Sequence, residues 1–188
     1  TSGITNEQGN YIIKGVNYGS GTTFTAMPRK LSIIGRALEM DGVDDAIEIP
    51  SQVGGVAMNT GTIETWVYPR TFATSQPIVA LRDDGVNSSG ILTIENGVFQ
   101  FRAKSGATAT DITQLDTALW YHVAVKFTTT EATFYVNGEL GAVVNGDFSI
   151  EPGSATATAM IGNFGSDYFY GRIDEVRIWN TERTQQQI

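Results

Sequence analysis

The chain reads as an all-β protein built from two packed antiparallel sheets, with little or no helix. Two observations predict this. About a dozen short runs alternate apolar with polar residues at period two and favour β-branched and aromatic side chains. Between them stand compact turn signals, of which Asn96-Gly97 and Asn137-Gly138 are the clearest two-residue hairpin turns. At 188 residues the chain is within the range of a single sandwich domain whose core needs no disulfide, so residues 1–188 are read as one domain.

In order, residues 1–27 are rich in Gly, Thr, Asn and Ser, with one apolar patch at Tyr11-Ile12-Ile13, and predict a long loop holding a short edge strand. Residues 31–38 lead into the turn Met40-Asp41-Gly42-Val43-Asp44-Asp45-Ala46, and residues 46–49 leave it, which predicts a hairpin with Gly42 supplying a positive φ. Residues 62–68 place Ile63 and Val67 on one face and Glu64, Trp66 and Tyr68 on the other, and Pro69 ends the run. A further run follows at 77–81, then a turn cluster at 83–90. Residues 91–95 and 98–103 form the hairpin about Asn96-Gly97, with Phe99 and Phe101 in phase. After a Ser/Gly/Ala/Thr loop, residues 120–127 put Tyr121, Val123, Val125 and Phe127 together. Residues 132–136 turn at Asn137-Gly138 into 140–144, and short runs at 148–150 and 158–161 precede the last strand. Only the tail from Thr181 has helical or one-turn character.

That last strand, Tyr170-Gly-Arg-Ile-Asp-Glu-Val-Arg-Ile-Trp179, organises the chain. Strict period two puts Asp174, Val176 and Ile178 on one face and Ile173, Glu175, Arg177 and Trp179 on the other. A carboxylate on the same side as Val176 and Ile178 is costly to bury alone, so Asp174 is expected to meet a cation, an arginine or backbone donors.

Several stretches, in order, carry a resemblance to a known family: Ala37-Leu-Glu-Met-Asp-Gly-Val-Asp-Asp-Ala-Ile-Glu-Ile-Pro50, Gly61-Thr-Ile-Glu-Thr-Trp-Val-Tyr-Pro69, Trp120-Tyr-His-Val-Ala-Val125, Phe134-Tyr-Val-Asn-Gly-Glu139 and Gly171-Arg-Ile-Asp-Glu-Val-Arg-Ile-Trp179. They resemble the laminin G-like branch of the concanavalin A-like lectin/glucanase superfamily. The resemblance implies that the two sheets form a jelly roll, and it implies fold more than activity. It also implies a calcium ion bridging the early turn and the last long strand, which maps onto Asp41, Gly42 and Asp174.

Composition narrows the partners. Lys and Arg number 12 against 20 Asp and Glu, a formal charge of -8, which disfavours nucleic acid and anionic membranes and favours a cation such as Ca²⁺. Cysteine is absent, so thiolate sites are excluded, and one histidine, His122, offers little to zinc or copper. No apolar run approaches the ~20 residues of a spanning helix. The start without Met and the stop after Gln-Gln-Gln suggest a piece of a larger protein, with extracellular, cell-surface or virion-associated placement.

Hard oxygen donors are the best-supported chemistry. Asp41, Asp44 and Asp45 crowd a glycine turn, as calcium ligands do; the alternative is that Asp44 and Asp45 merely bond their own turn amides. A glucanase needs a paired acid and nucleophile, and the nearest match, Glu39-Met-Asp41-Gly-Val-Asp44, ends on the shorter Asp and is broken by Gly42. His122 has no nucleophile to activate and reads as a packed strand residue. Sugar binding needs flat aromatic faces beside planar hydrogen-bonding groups. The densest such stretch is 162–171, with Asn163, Phe164, Asp167, Tyr168 and Tyr170 as its groups. A second surface is Glu64, Trp66 and Tyr68 with Glu175, Arg177 and Trp179, whose bland reading is a Glu–Arg pair under aromatic cover. The expected function is a non-catalytic carbohydrate-binding or adhesive module with a structural calcium, its partners a glycan and the other domains of its parent. The rivals are a structural spacer or protein-contact domain and, third, a glucanase-like hydrolase.

Overall fold

The structure, a computed structural model, describes residues 3–5, 11–13, 37–49, 58–82, 88–103, 105–150 and 159–188. It divides into two compact units, 1–36 and 37–188. In the first, β1 (Gly3–Thr5) pairs antiparallel with β2 (Tyr11–Ile13), Ile4 opposite Ile12. The sequence signalled β2 alone, because β1 has no alternation to show.

The second unit holds β3 (Leu38–Asp41), β4 (Ile47–Ile49), β5 (Gly61–Pro69), β6 (Gln76–Arg82), β7 (Ser88–Glu95), β8 (Val98–Ala103), β9 (Thr108–Thr110), β10 (Tyr121–Phe127), β11 (Glu131–Val136), β12 (Glu139–Asn145), β13 (Ala159–Ile161), β14 (Asn163–Phe164), β15 (Asp167–Tyr168) and β16 (Tyr170–Trp179). One six-stranded sheet runs β12-β11-β10-β5-β16-β3, the other β4-β13-β6-β7-β8-β9, and β14-β15 is a small hairpin. All the pairings are antiparallel and no helix occurs among the described residues. This is the two-sheet jelly-roll sandwich.

Alternation explains the core. Ile63 and Val67 of β5, Val123, Val125 and Phe127 of β10, Phe134 of β11 and Ile173 of β16 pack in one cluster with Val79, Leu81, Leu92, Ile94, Phe99 and Phe101 of the other sheet. Phe101 stacks on Phe127 at 5.2 Å between ring centroids. Phe148 and Phe169 are also wholly buried. Large aromatic areas removed from water make this cluster the main source of stability.

Three expectations change. Residues 46–49 do not pair back with the strand before the acidic turn: β3 pairs with β16 in one sheet, and β4 pairs with β13 in the other. The turn is therefore a crossing between sheets, and the predicted residues 31–36 lie outside the described ones. Second, β16 contains a bulge: Asp174 lies opposite Trp66, yet Arg177 lies opposite Glu64, and Glu175 adopts φ +52°. The extra residue resets the alternation. Ile173 is thus buried in the core and Asp174 shares a face with Arg172 and Arg177, the reverse of the strict period-two reading for this first half. Third, the Ser/Gly/Ala/Thr loop contains β9, and stretch 162–171 contains the β14-β15 hairpin.

Segment 181–188 crosses the outer face of the first sheet. Thr62 Oγ1 donates to the Thr181 carbonyl at 3.0 Å and accepts from the Arg183 amide at 2.9 Å; Glu182 meets Lys126 at 3.5 Å, and Gln185 Nε2 donates to the Gly138 carbonyl at 2.8 Å. Ala124, Thr133 and Tyr135 of the same face are buried.

Candidate functional site

The acidic turn is built by its own carboxylates. Asp41 Oδ1 accepts from the amides of Val43 at 2.8 Å and Asp44 at 3.3 Å, and Asp45 Oδ2 accepts from the Asp41 amide at 3.0 Å. These amide bonds, the Val43 one foremost, hold the Asp41 carboxyl below the usual carboxylate range. Gly42 sits at φ +78°, and a β-carbon there would meet the Tyr170 Cβ at 2.9 Å, so both conformation and space require glycine. The turn bonding that competed with metal ligation for Asp44 and Asp45 is thus present for Asp45. It uses only part of the donor set: one carboxylate oxygen from each of Asp41, Asp44 and Asp45 lies within 4.8 Å of the others, all three residues exposed. Three hard oxygen donors fit a hard cation such as Ca²⁺ and do not suit a soft or borderline metal.

Asp174 is not brought to this turn. Tyr170, not Asp174, pairs with Asp41, and Asp174 stands four positions further along β16, ~13 Å at a strand's rise. Its Oδ1 accepts the Glu175 amide at 2.8 Å and serves the bulge. The expectation of a backbone donor holds there, whereas the pairing of Asp41 with Asp174 about one ion does not.

The acidic turn does touch stretch 162–171. Besides the Gly42–Tyr170 contact, a β-carbon on Gly162 would lie 3.1 Å from Met40 Cε and 3.5 Å from the Asp45 carbonyl oxygen. Of the predicted sugar-binding groups, Asn163 is 5% exposed, and its amide donates to the carbonyls of Gly165 at 3.3 Å and Asp167 at 3.0 Å, bracing the hairpin. Phe164, Asp167 and Tyr168 are half-buried, and the Arg102 guanidinium lies 5.7 Å from the Phe164 ring. Phe169 points into the core, leaving Tyr170 exposed beside the turn.

Next to Tyr170 on the outer sheet face runs a ladder that sequence reasoning saw only in pieces. Glu39 pairs with Arg70 and, at 2.6 Å, with Arg172. Arg70 lies 5.5 Å from the Tyr170 ring and Arg172 5.5 Å from the Tyr68 ring, which meets Trp120 at 5.5 Å. The Arg172 bond first, then Arg70, holds the Glu39 carboxyl below its ordinary value. The signal that could have found this ladder is Tyr170-x-Arg172 in alternation with Glu39-x-Asp41. Further along, Glu64 is buried and pairs with Arg177 at 3.5 Å, while the Trp66 and His122 rings meet tilted, 5.2 Å between centroids. The Glu–Arg pair read from the sequence is therefore present, with Glu175 also paired to Arg177.

No curated protein matches this sequence significantly. Among solved structures, the chain is similar to a native heptameric SAP-like pentraxin from Limulus polyphemus (14% identity, TM-score 0.62, covering 79% of this chain and 77% of that one). It is similar also to domain 4 of AbnA, a GH43 extracellular arabinanase from Geobacillus stearothermophilus, in complex with arabinotriose (19% identity, TM-score 0.59, 82% of each chain). A third is the CBM40 of a Ruminococcus gnavus IT-sialidase bound to α2,3 sialyllactose (16% identity, TM-score 0.61, 79% and 93%). At such identities the likeness establishes the fold. A laminin G-type family profile of the concanavalin A-like lectin/glucanases superfamily matches residues 41–188, from the acidic turn through the last strand. The chain belongs to that superfamily.

Proposed function

We propose that this is a non-catalytic carbohydrate-binding or adhesive module whose acidic turn holds a structural calcium ion. One observation carries the reading: the oxygen-donor turn and the aromatic hairpin meet at one corner, through Gly42 against Tyr170 and Asp45 against Gly162. In this reading Asp41, Asp44 and Asp45 hold the ion beside Gly42, which orders the corner. Phe164, Asp167, Tyr168 and Tyr170 face the glycan, and Asn163 keeps the hairpin in shape. The glycan ligands in two of the similar structures support a sugar as the partner class. Against hydrolysis stands the Glu39–Asp44 run itself: β3 ends at Asp41, Gly42 turns the chain at φ +78°, and the acid position falls on the shorter Asp44 beyond that turn. The module is placed outside the cell or on a cell or virion surface, as one part of a larger protein.

The spacer reading is favoured by Asn163, whose amide is consumed within the hairpin. A glycan microarray probed in millimolar calcium separates the two. Binding that is weak per site is expected, since a shallow platform buries little area. It should fall with Phe164→Ala and Tyr168→Ala while the circular dichroism spectrum is unchanged. A broad array without a ligand hands the domain to the spacer reading.

A further inference from the structure

We infer that the open half of the outer face of the six-stranded β12-β11-β10-β5-β16-β3 sheet is a second platform, independent of any cation, for a neutral glycan chain, with Trp66, Tyr68, Trp120 and Tyr170 as its stacking surface. This rests on the reading of the domain as a glycan-binding module but places a ligand elsewhere than the hairpin.

The rings are gathered by register. Tyr68 and Trp66 stand two residues apart on the outward face of β5, Trp120 immediately precedes β10 and meets Tyr68 at a tilt of 52°, and Tyr170 opens β16 beside Arg70. Trp66, Trp120 and Tyr170 are 41%, 38% and 39% exposed, a large area to leave wet on one face. From the Trp66 row to the Tyr170 row is four strand positions, ~13 Å, long enough for a run of sugars. Beside it, segment 181–188 crosses the same face from Thr62 to Gly138, and Arg183 caps Trp179 at 4.1 Å.

Charge selects the occupant. Glu39 holds both Arg70 and Arg172, and Asp41 and Asp174 share this half, three carboxylates against two cations, so the platform offers nothing to a polyanion. What it does offer is aromatic faces with planar guanidinium and carboxylate groups set among them. That combination matches the apolar ring faces and hydroxyl edges of uncharged pyranoses.

The test is tryptophan fluorescence of the domain titrated in EDTA with soluble mixed-linkage β-glucan, xylan, galactomannan and arabinan, and with polygalacturonate as the charged comparison. At least one neutral polysaccharide should change the emission saturably and protect the wild-type tryptophans from N-bromosuccinimide. Trp66→Ala and Trp120→Ala should each weaken binding about tenfold or more, while Ile112→Ala, exposed and outside the platform, has no effect. The protection assay keeps the test valid should either variant fold poorly. Several outcomes overturn the inference alone: binding that survives both tryptophan substitutions, binding that needs calcium and is lost with Tyr168→Ala, or binding to polygalacturonate only. Concentration-dependent self-association abolished by Trp66→Ala, with no neutral glycan bound, assigns the face to a second copy of the chain instead. If no glycan binds in calcium or in EDTA, both this inference and the reading beneath it fall.

Discussion

His122 sits between Trp66, Glu64 and Arg177, and its burial lowers its pKa, with Glu64 opposing and Arg177 adding to the shift. A histidine whose folded pKa lies below the unfolded ~6.5 favours folding while it is neutral. That contribution is lost as pH falls below ~6.5 through the folded value. Melting temperature should therefore drop as the pH is lowered from 7 toward 5, and His122→Gln should flatten that part of the curve; an unchanged slope contradicts the assignment. Asp111 is buried and accepts from the amides of Ala142 at 2.9 Å and Thr113 at 3.0 Å, tying the β9 end of one sheet to β12 of the other. Asp111→Ala orphans those donors and should cost about 1–3 kcal/mol in urea unfolding. Neither role was legible in the sequence. A single histidine in an alternating run and an aspartate in a Thr-rich loop become specific only when β5 and β12 are brought beside them.

At the scale of elements, the strands were largely legible, because alternation and Asn-Gly turns are local signals. What was missed needed long-range pairing. The hairpin predicted about Asp41 is a crossing between sheets, since β3 and β4 each find a better partner late in the chain, β16 and β13. The β16 bulge, too, shows only against β5 and carries no local sequence mark, while the β16–β3 register, Tyr170 opposite Asp41, leaves Asp174 four positions from the acidic turn. Glu175 holds the bulge at φ +52°, a conformation that costs a non-glycine residue about 1–2 kcal/mol. Glu175→Gly should be neutral or stabilising, and Glu175→Val clearly destabilising. A loss with glycine equal to that with valine, in paired urea titrations, would show that side-chain contacts and not backbone strain govern the position.

For the whole molecule, family and sheet architecture were legible because the matching stretches recur in order from 37 to 179. The corner where Asp41, Asp44 and Asp45 meet Tyr170 was only partly so, since Asp174 took the place that Asp45 occupies in the folded cluster. An ion bound only by the folded chain stabilises it by ~2.7 kcal/mol at a hundredfold excess over Kd. Melting temperature should accordingly rise between EDTA and millimolar calcium, and Asp44→Ala should remove the rise while Asp174→Ala leaves it. The central claim, a glycan-binding module ordered by calcium at this corner, is tested most directly by reading one glycan array with the wild-type domain in calcium and again in EDTA. The account predicts defined glycan signals in calcium that weaken in EDTA at the hairpin site; an array blank under both conditions would contradict it.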